Sequence, residues 1–201
     1  MSIIIPANSA AGGGGFAVAN GVRFNEGSSD YLKRSLGASE TSLKKGTFSF
    51  WVKRSDLGVD DIILSNEVEN DNNRGYIQFT SGDALRMIDN DSGGDNLQIV
   101  TTQLFRDVSA WSHLVLSFDT TQGTDTNRVK WYHNGTQITS FSTSNYPSQN
   151  IDLKIFEGGQ TNKNLIAAIY ASGSASNYLG GYLAEFVYID GLQLAADSFG
   201  E

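Results

Sequence analysis

Cysteine is absent from the 201 residues, which removes disulfide staples, thiolate metal sites and thiol nucleophiles at once. Small secreted domains often depend on disulfides, so their lack points to a bacterial or viral source or a reducing compartment. A chain of this length can bury enough core to do without them. Basic charge is scarce as well: Lys and Arg number 14 against 22 Asp and Glu, for a net charge of −8. A sequence-independent nucleic-acid binder needs a basic surface to displace counterions, and a polybasic membrane anchor needs one too; neither is expected. No apolar run approaches the roughly 20 residues of a membrane-spanning helix. The start lacks a basic stretch, and Ile3-Ile4-Ile5 before Pro6 is too short for a secretion leader. Sustained 3.6-residue amphipathicity, an internal repeat and an interdomain linker are missing too.

What is there reads as β structure behind an unusual start. Residues 1–20 join an apolar tip, Ile3-Ile4-Ile5, to a small-residue tract that ends in Gly12-Gly13-Gly14-Gly15-Phe16. Two readings stay open for it: a disordered tail, or an extended arm that adds a strand or plug to a neighbouring subunit. Residues 21–201 form one domain. Phe48, Phe50 and Val52 alternate with Thr47, Ser49, Trp51 and Lys53, and Leu114, Leu116 and Phe118 repeat that pattern, as half-buried strands do. Short apolar runs at 22–24, 31–33, 62–64, 76–79, 85–88, 97–100, 151–156, 165–170 and 182–189 are spaced by turn residues. Asn134-Gly135 between runs 128–133 and 136–141 supplies the two positive φ angles of a type I′ hairpin turn. About a dozen strands at such spacing predict a two-sheet sandwich, with Phe48, Phe50, Leu114, Leu116, Phe118, Trp131 and Phe186 between the sheets. Trp51 and Trp111 are expected in the core as well. A single helical turn is expected near residues 195–199.

Chemistry is harder to find. Glycoside hydrolysis needs two carboxylates roughly 5–10 Å apart. Glu67 and Glu69 are the nearest pair, in a stretch that reads as a loop, and Glu185 stands alone on its strand. Ser112 and His113 are neighbours in sequence and therefore point to opposite faces of a strand; they make no dyad, and His133 beside its turn reads as structural. Gly12 to Gly15 lacks the Lys-Ser/Thr and the preceding strand of a phosphate-binding loop. No catalytic residue is expected. The stretch Asp89-Asn90-Asp91-Ser92-Gly93-Gly94-Asp95 is oxygen-rich and glycine-turned, so Asp89, Asp91 and Asp95 are candidate Ca²⁺ ligands, with Asp119 a possible fourth. The plainer reading of that stretch is a solvated turn. Saccharide binding needs an aromatic platform beside amides that bond hydroxyls; Tyr146 with Asn145 and Tyr178 with Asn177 supply both residue types.

Taken in order, Phe48-Ser49-Phe50-Trp51-Val52-Lys53, Trp111-Ser112-His113-Leu114-Val115-Leu116-Ser117-Phe118-Asp119, Trp131-Tyr132-His133-Asn134-Gly135-Thr136 and Leu183-Ala184-Glu185-Phe186-Val187-Tyr188-Ile189-Asp190-Gly191 resemble the concanavalin A-like lectin, or laminin-G, jelly roll. Their wording, with Arg23-Phe24-Asn25-Glu26-Gly27-Ser28-Ser29-Asp30-Tyr31-Leu32, is similar to domains of bacteriophage tail and other virion proteins. The family's hydrolases carry a Glu-x-Asp-x-x-Glu run on one strand, and this chain has none. The resemblance implies a non-enzymatic structural protein on a virion tail or head surface. Ile3, Ile4, Ile5 and Phe16 would anchor it to other virion proteins, the sandwich would face host-surface polysaccharide, and the assembly would be a homo-oligomer. The alternatives are a decoration (cement) protein without glycan affinity and a secreted glycoside hydrolase.

Overall fold

The computed structural model describes residues 20–35, 41–66, 73–91, 94–155, 163–171 and 174–200. Residues 1–19, which hold Ile3, Ile4, Ile5 and Phe16, lie outside these, as do Glu67 and Glu69. Two antiparallel sheets pack face to face. The six-stranded sheet runs, edge to edge, β1 (Val22–Phe24), β15 (Gly181–Asp190), β3 (Lys45–Arg54), β8 (Ser112–Asp119), β9 (Val129–His133) and β10 (Thr136–Ile138). The seven-stranded sheet runs β11 (Phe141–Asn145), β7 (Gly94–Leu104), β6 (Ala84–Asp91), β5 (Arg74–Phe79), β4 (Asp61–Asn66), β12 (Lys163–Ile166) and β2 (Leu32–Ser35). A small hairpin pairs β13 (Ile169–Ala171) with β14 (Ser174–Ser176). The sandwich expected from the alternation is the architecture that forms.

Register explains the core. Phe48 lies opposite Leu116 and Tyr188, and Leu116 lies opposite Trp131, so one row of large side chains crosses four strands. Leu85, Met87, Leu97, Ile99, Ile77 and Phe79 of the other sheet meet this layer. Each such side chain contributes about 1.5–3 kcal/mol on full burial. Phe186 is only partly buried and packs against the core edge. Trp131 is central as expected. Trp51 instead lies on the opposite face of β3, stacked on His113 at 4.9 Å, and Trp111 is half-buried. That opposite face is nonetheless covered, because residues 191–200 cross it. The Thr47 hydroxyl donates to Leu192 O and accepts from Leu194 N, and Asp197 lies close enough to Tyr132 to raise its phenol, after burial. The helical turn expected here is a 3₁₀ turn at Ala196–Phe199.

Three strand readings need correction. Residues 136–141 are not one strand: β10 belongs to one sheet and β11 to the other, so the chain changes sheets between them. Residues 165–170 are split into β12 and β13 by Ala167, whose φ of 70° breaks the extended run. Residues 151–155 enter neither sheet. They cross the interior face of the seven-stranded sheet, with Leu153 and Ile155 in the core and Leu153 N bonded to Leu43 O at 2.9 Å. The hairpin at Asn134-Gly135 forms as expected, with φ of 47° and 76°.

Candidate functional site

Strict alternation in the middle of the seven-stranded sheet decides which side chains face outward. Ile77 and Phe79 of β5, Leu85 and Met87 of β6, and Leu97 and Ile99 of β7 point into the core. The residues between them point the other way. Cross-strand register then sets them in rows. Gln78, Arg86, Val100 and Thr143 make one row, and Tyr76, Ile88, Gln98 and Asn145 the next. Arg74, Asn90 and Asp95 make the third. The outward face is therefore an amide and guanidinium surface over a small apolar base. That base is a second buried cluster of Ile62, Tyr76, Ile88 and Ile169. The guanidiniums of Arg74 and Arg86 sit 5.5 and 5.8 Å from the Tyr76 ring centroid, so they, and not the ring, form the accessible layer.

The β13–β14 hairpin walls this surface on the β4 side. Ser65 Oγ donates to Ala168 O at 2.8 Å, Ile62 N donates to Asn177 O at 3.1 Å, and the Tyr178 hydroxyl donates to Ala175 O at 2.8 Å. Tyr178 also meets Tyr31 at 6.1 Å between ring centroids, and the Lys33 ammonium lies 4.7 Å from the centre of the Tyr170 ring.

The residues nominated from sequence separate. Asn177 and Tyr178 belong to the hairpin wall, whereas Asn145 and Tyr146 lie at the opposite edge strand, β11. Asn145 is exposed on the outward face and donates to Asp95 O at 3.0 Å. Tyr146, one residue on, turns inward against the core, and burial, then the charge of Asp125, raises its phenol. Neither tyrosine is an open platform: one ring is packed inside and the other is held by its own hydroxyl. The candidate Ca²⁺ ligands separate as well. Asp89 is fully buried on the core side, where it accepts from Lys154 N and, at 3.5 Å, from Asn96 Nδ2. Burial lifts its carboxyl to about 7, even against those donors. Asp95 is exposed and bonded to Asn90. Among the described residues no three acidic or histidine side chains gather to hold a metal, and Asp119 spends its carboxylate on Thr121, Gln122 and Lys45.

Two polar constellations were invisible in the sequence. Arg54, only 3% exposed, closes β3. It bonds Asp83 at 3.1 Å, Asp61 at 3.1 Å and Phe105 O at 2.9 Å. Asp83 is held below the usual carboxylate range by Gly58 N–H, with Arg106 and Arg54 adding to it. Asp61 is pushed up to about 6 by burial and by Asp56. Glu26 rises too, through its hydrogen bond to Asp56. The second constellation is a crossed pair of Ser–His contacts. His113 meets Ser49 at 2.9 Å, and His133 meets Ser112 at 3.2 Å. His133 Nδ1 contacts the neutral Gln103 amide at 2.8 Å, and His133, Ser112, Gln103 and Arg106 line a cavity of about 90 Å³. Glu185 is exposed at a bulge of β15, with φ of 49°.

The family description that matches residues 26–189 is that of the concanavalin A-like lectin/glucanases superfamily. No curated protein sequence matches the chain. Among solved structures, laminin G-like domains 4–5 of the mouse laminin α1 chain are similar at 16% identity and TM-score 0.58, covering 96% of this chain and 47% of that one. The CBM40 of a Ruminococcus gnavus IT-sialidase is similar at 13% identity and TM-score 0.53, covering 84% and 94%. A heptameric SAP-like pentraxin of Limulus polyphemus is similar at 14% identity and TM-score 0.52, covering 79% and 68%. At these identities the likeness is one of fold.

Proposed function

Since the chain belongs to the concanavalin A-like lectin/glucanase superfamily, we propose that it is a non-catalytic carbohydrate-binding protein whose working surface is the outward face of the seven-stranded sheet. The observation that carries this reading is the juxtaposition of Gln98, Asn145 and Arg86 on adjacent rows of that face. A side-chain amide offers both donors and an acceptor, which suits the vicinal hydroxyls of a sugar, and a guanidinium adds donors in a fixed plane. The Ruminococcus module of similar fold has been solved bound to α2,3-sialyllactose, which supports a saccharide as the ligand. The non-catalytic part rests on the sequence, which lacks the Glu-x-Asp-x-x-Glu run that the family's hydrolases carry on one strand.

A glycan array probed with the full chain tests the reading. Binding is expected, and Gln98→Ala with Asn145→Ala together should weaken it at least tenfold with the urea midpoint unchanged. Absence of binding to every saccharide would overturn it and favour the decoration reading. Reducing ends released from the same polysaccharides would overturn the non-catalytic part. We extend the proposal to a bacteriophage virion surface on the resemblance of residues 23–32 and the four strand segments to phage proteins, with residues 1–20 as the anchoring arm. Deleting those residues should then abolish incorporation into particles without loss of glycan binding.

A further inference from the structure

We infer that the ligand of this face is an acidic saccharide whose carboxylate or sulfate is received by Arg86; the inference rests on the glycan-binding reading above and names its ligand class. The chain holds 22 acids against 14 bases, and several of its basic side chains are already engaged. Arg54 is paired with Asp61 and Asp83, and Arg106 with Asp83. Lys44 is paired with Asp152 and Lys45 with Asp119. Arg128 spends its guanidinium on the carbonyls of Gln122, Pro147 and Gly123.

Arg86 differs. It is half-buried in the middle of the sheet, and among the described residues its guanidinium has neither a hydrogen bond nor an ion pair; its Nε–H is sealed from solvent without an acceptor. Its one contact of this kind is the Tyr76 ring, 5.8 Å away. Asp60 is already engaged: it accepts from Gln78, the residue directly opposite Arg86, and from Ser81 N. Asp95, on the next-but-one row, is taken by Asn90.

The two Nη groups of Arg86, unlike its sealed Nε–H, are open and have no partner among the described residues, so they remain for a ligand. The Tyr76 ring lies beside the guanidinium, whose planar fork matches an oxyanion in two-point contact. Gln98 and Asn145, one row further on, are placed for the hydroxyls of the same or the next sugar ring. The net negative charge of the whole protein excludes bulk attraction for polyanions, so selectivity for an acidic sugar would have to come from this position.

The test uses the full chain with three probes: polygalacturonate for carboxylate, dextran sulfate for sulfate, and dextran as the neutral polymer. Tight binding of one acidic polymer over dextran is expected, and which of the two binds identifies the acid. Arg86→Gln should weaken that binding roughly 10- to 100-fold while leaving the urea midpoint unchanged. Arg86→Lys, which keeps the charge and loses the fork, should fall between the two and serves if the Gln variant folds poorly. Equal affinity for charged and neutral polymers, or an unaltered affinity in both variants, would overturn this inference and leave the glycan reading standing. Silence towards all three probes and towards the wider glycan array would overturn both.

Discussion

Burial of the Asp89 carboxyl between the sheet and residues 151–155 makes its proton part of the fold. In the folded chain this group titrates near 7, against an ordinary value of 3.8. Between those limits the native state holds a proton that the unfolded chain has released, so stability falls as pH rises through the window. Asp61, raised to about 6 by burial and by Asp56, acts in the same sense. Asp83 and Asp119 are held low and weaken the fold only on acidification below about pH 4. Urea unfolding between pH 5 and 8 should therefore show greatest stability at the acid end, with a loss of up to about 4 kcal/mol across the range. Asp89→Asn, which keeps the acceptor oxygen and removes the charge, should flatten that slope and be the more stable protein at pH 8; an unchanged slope would place the titration elsewhere. In the sequence Asp89 reads as the start of a solvated loop. Alternation from Leu85 and Met87 puts it on the core side, but hydropathy argues against an acid there, and the backbone N–H that donates to it, that of Lys154, lies 65 residues away.

The crossing segment, residues 151–155, shows how an element can imitate another. Ile151, Leu153 and Ile155 alternate as a strand would, and period two reports only an extended chain with one buried side; it does not report a ladder. What makes room for the segment is Gly75 of β5. A Cβ there would lie 2.2 Å from Ile155 Cα and 2.6 Å from Ile155 N, backbone atoms that cannot turn aside. Gly75→Ala should cost about 3 kcal/mol or more, measured by urea unfolding, with the core near Asp89 the first region to lose amide protection. β3 and β8 were readable because their core-facing apolar positions alternate without interruption. β12 and β13 were not separable, because the break at Ala167 uses a positive φ at a residue type that gives no sign of it. The outward face of β5, β6 and β7 was legible only in part: Asn145 was singled out, but Arg86 and Gln98 look like any polar strand positions until register sets them side by side.

For the molecule as a whole, the two sheets close through strands distant in sequence. β15 lies between β1 and β3, with Leu183 opposite Val22 and Asp190 opposite Gly46, and the residues after it cover Thr47. A chain shortened by residues 181–201 loses an interior strand and the lid of the outer face together. It should show no cooperative urea transition by tryptophan fluorescence; a sigmoidal transition would mean that the remaining strands close the sheet alone. The two-sheet architecture could be read early, because alternation and turn spacing are local signals, and the family followed from the resemblance of four segments. The burial of Thr47 on the nominally polar face could not be, because it depends on a lid contributed by residues 191–200. That arrangement also constrains biosynthesis. β1 leaves the ribosome well before its sheet partner β15, so the six-stranded sheet cannot be completed until residue 190 or so has emerged. Through that interval the nascent polypeptide carries exposed strand edges, and it is then that a chaperone's protection matters most.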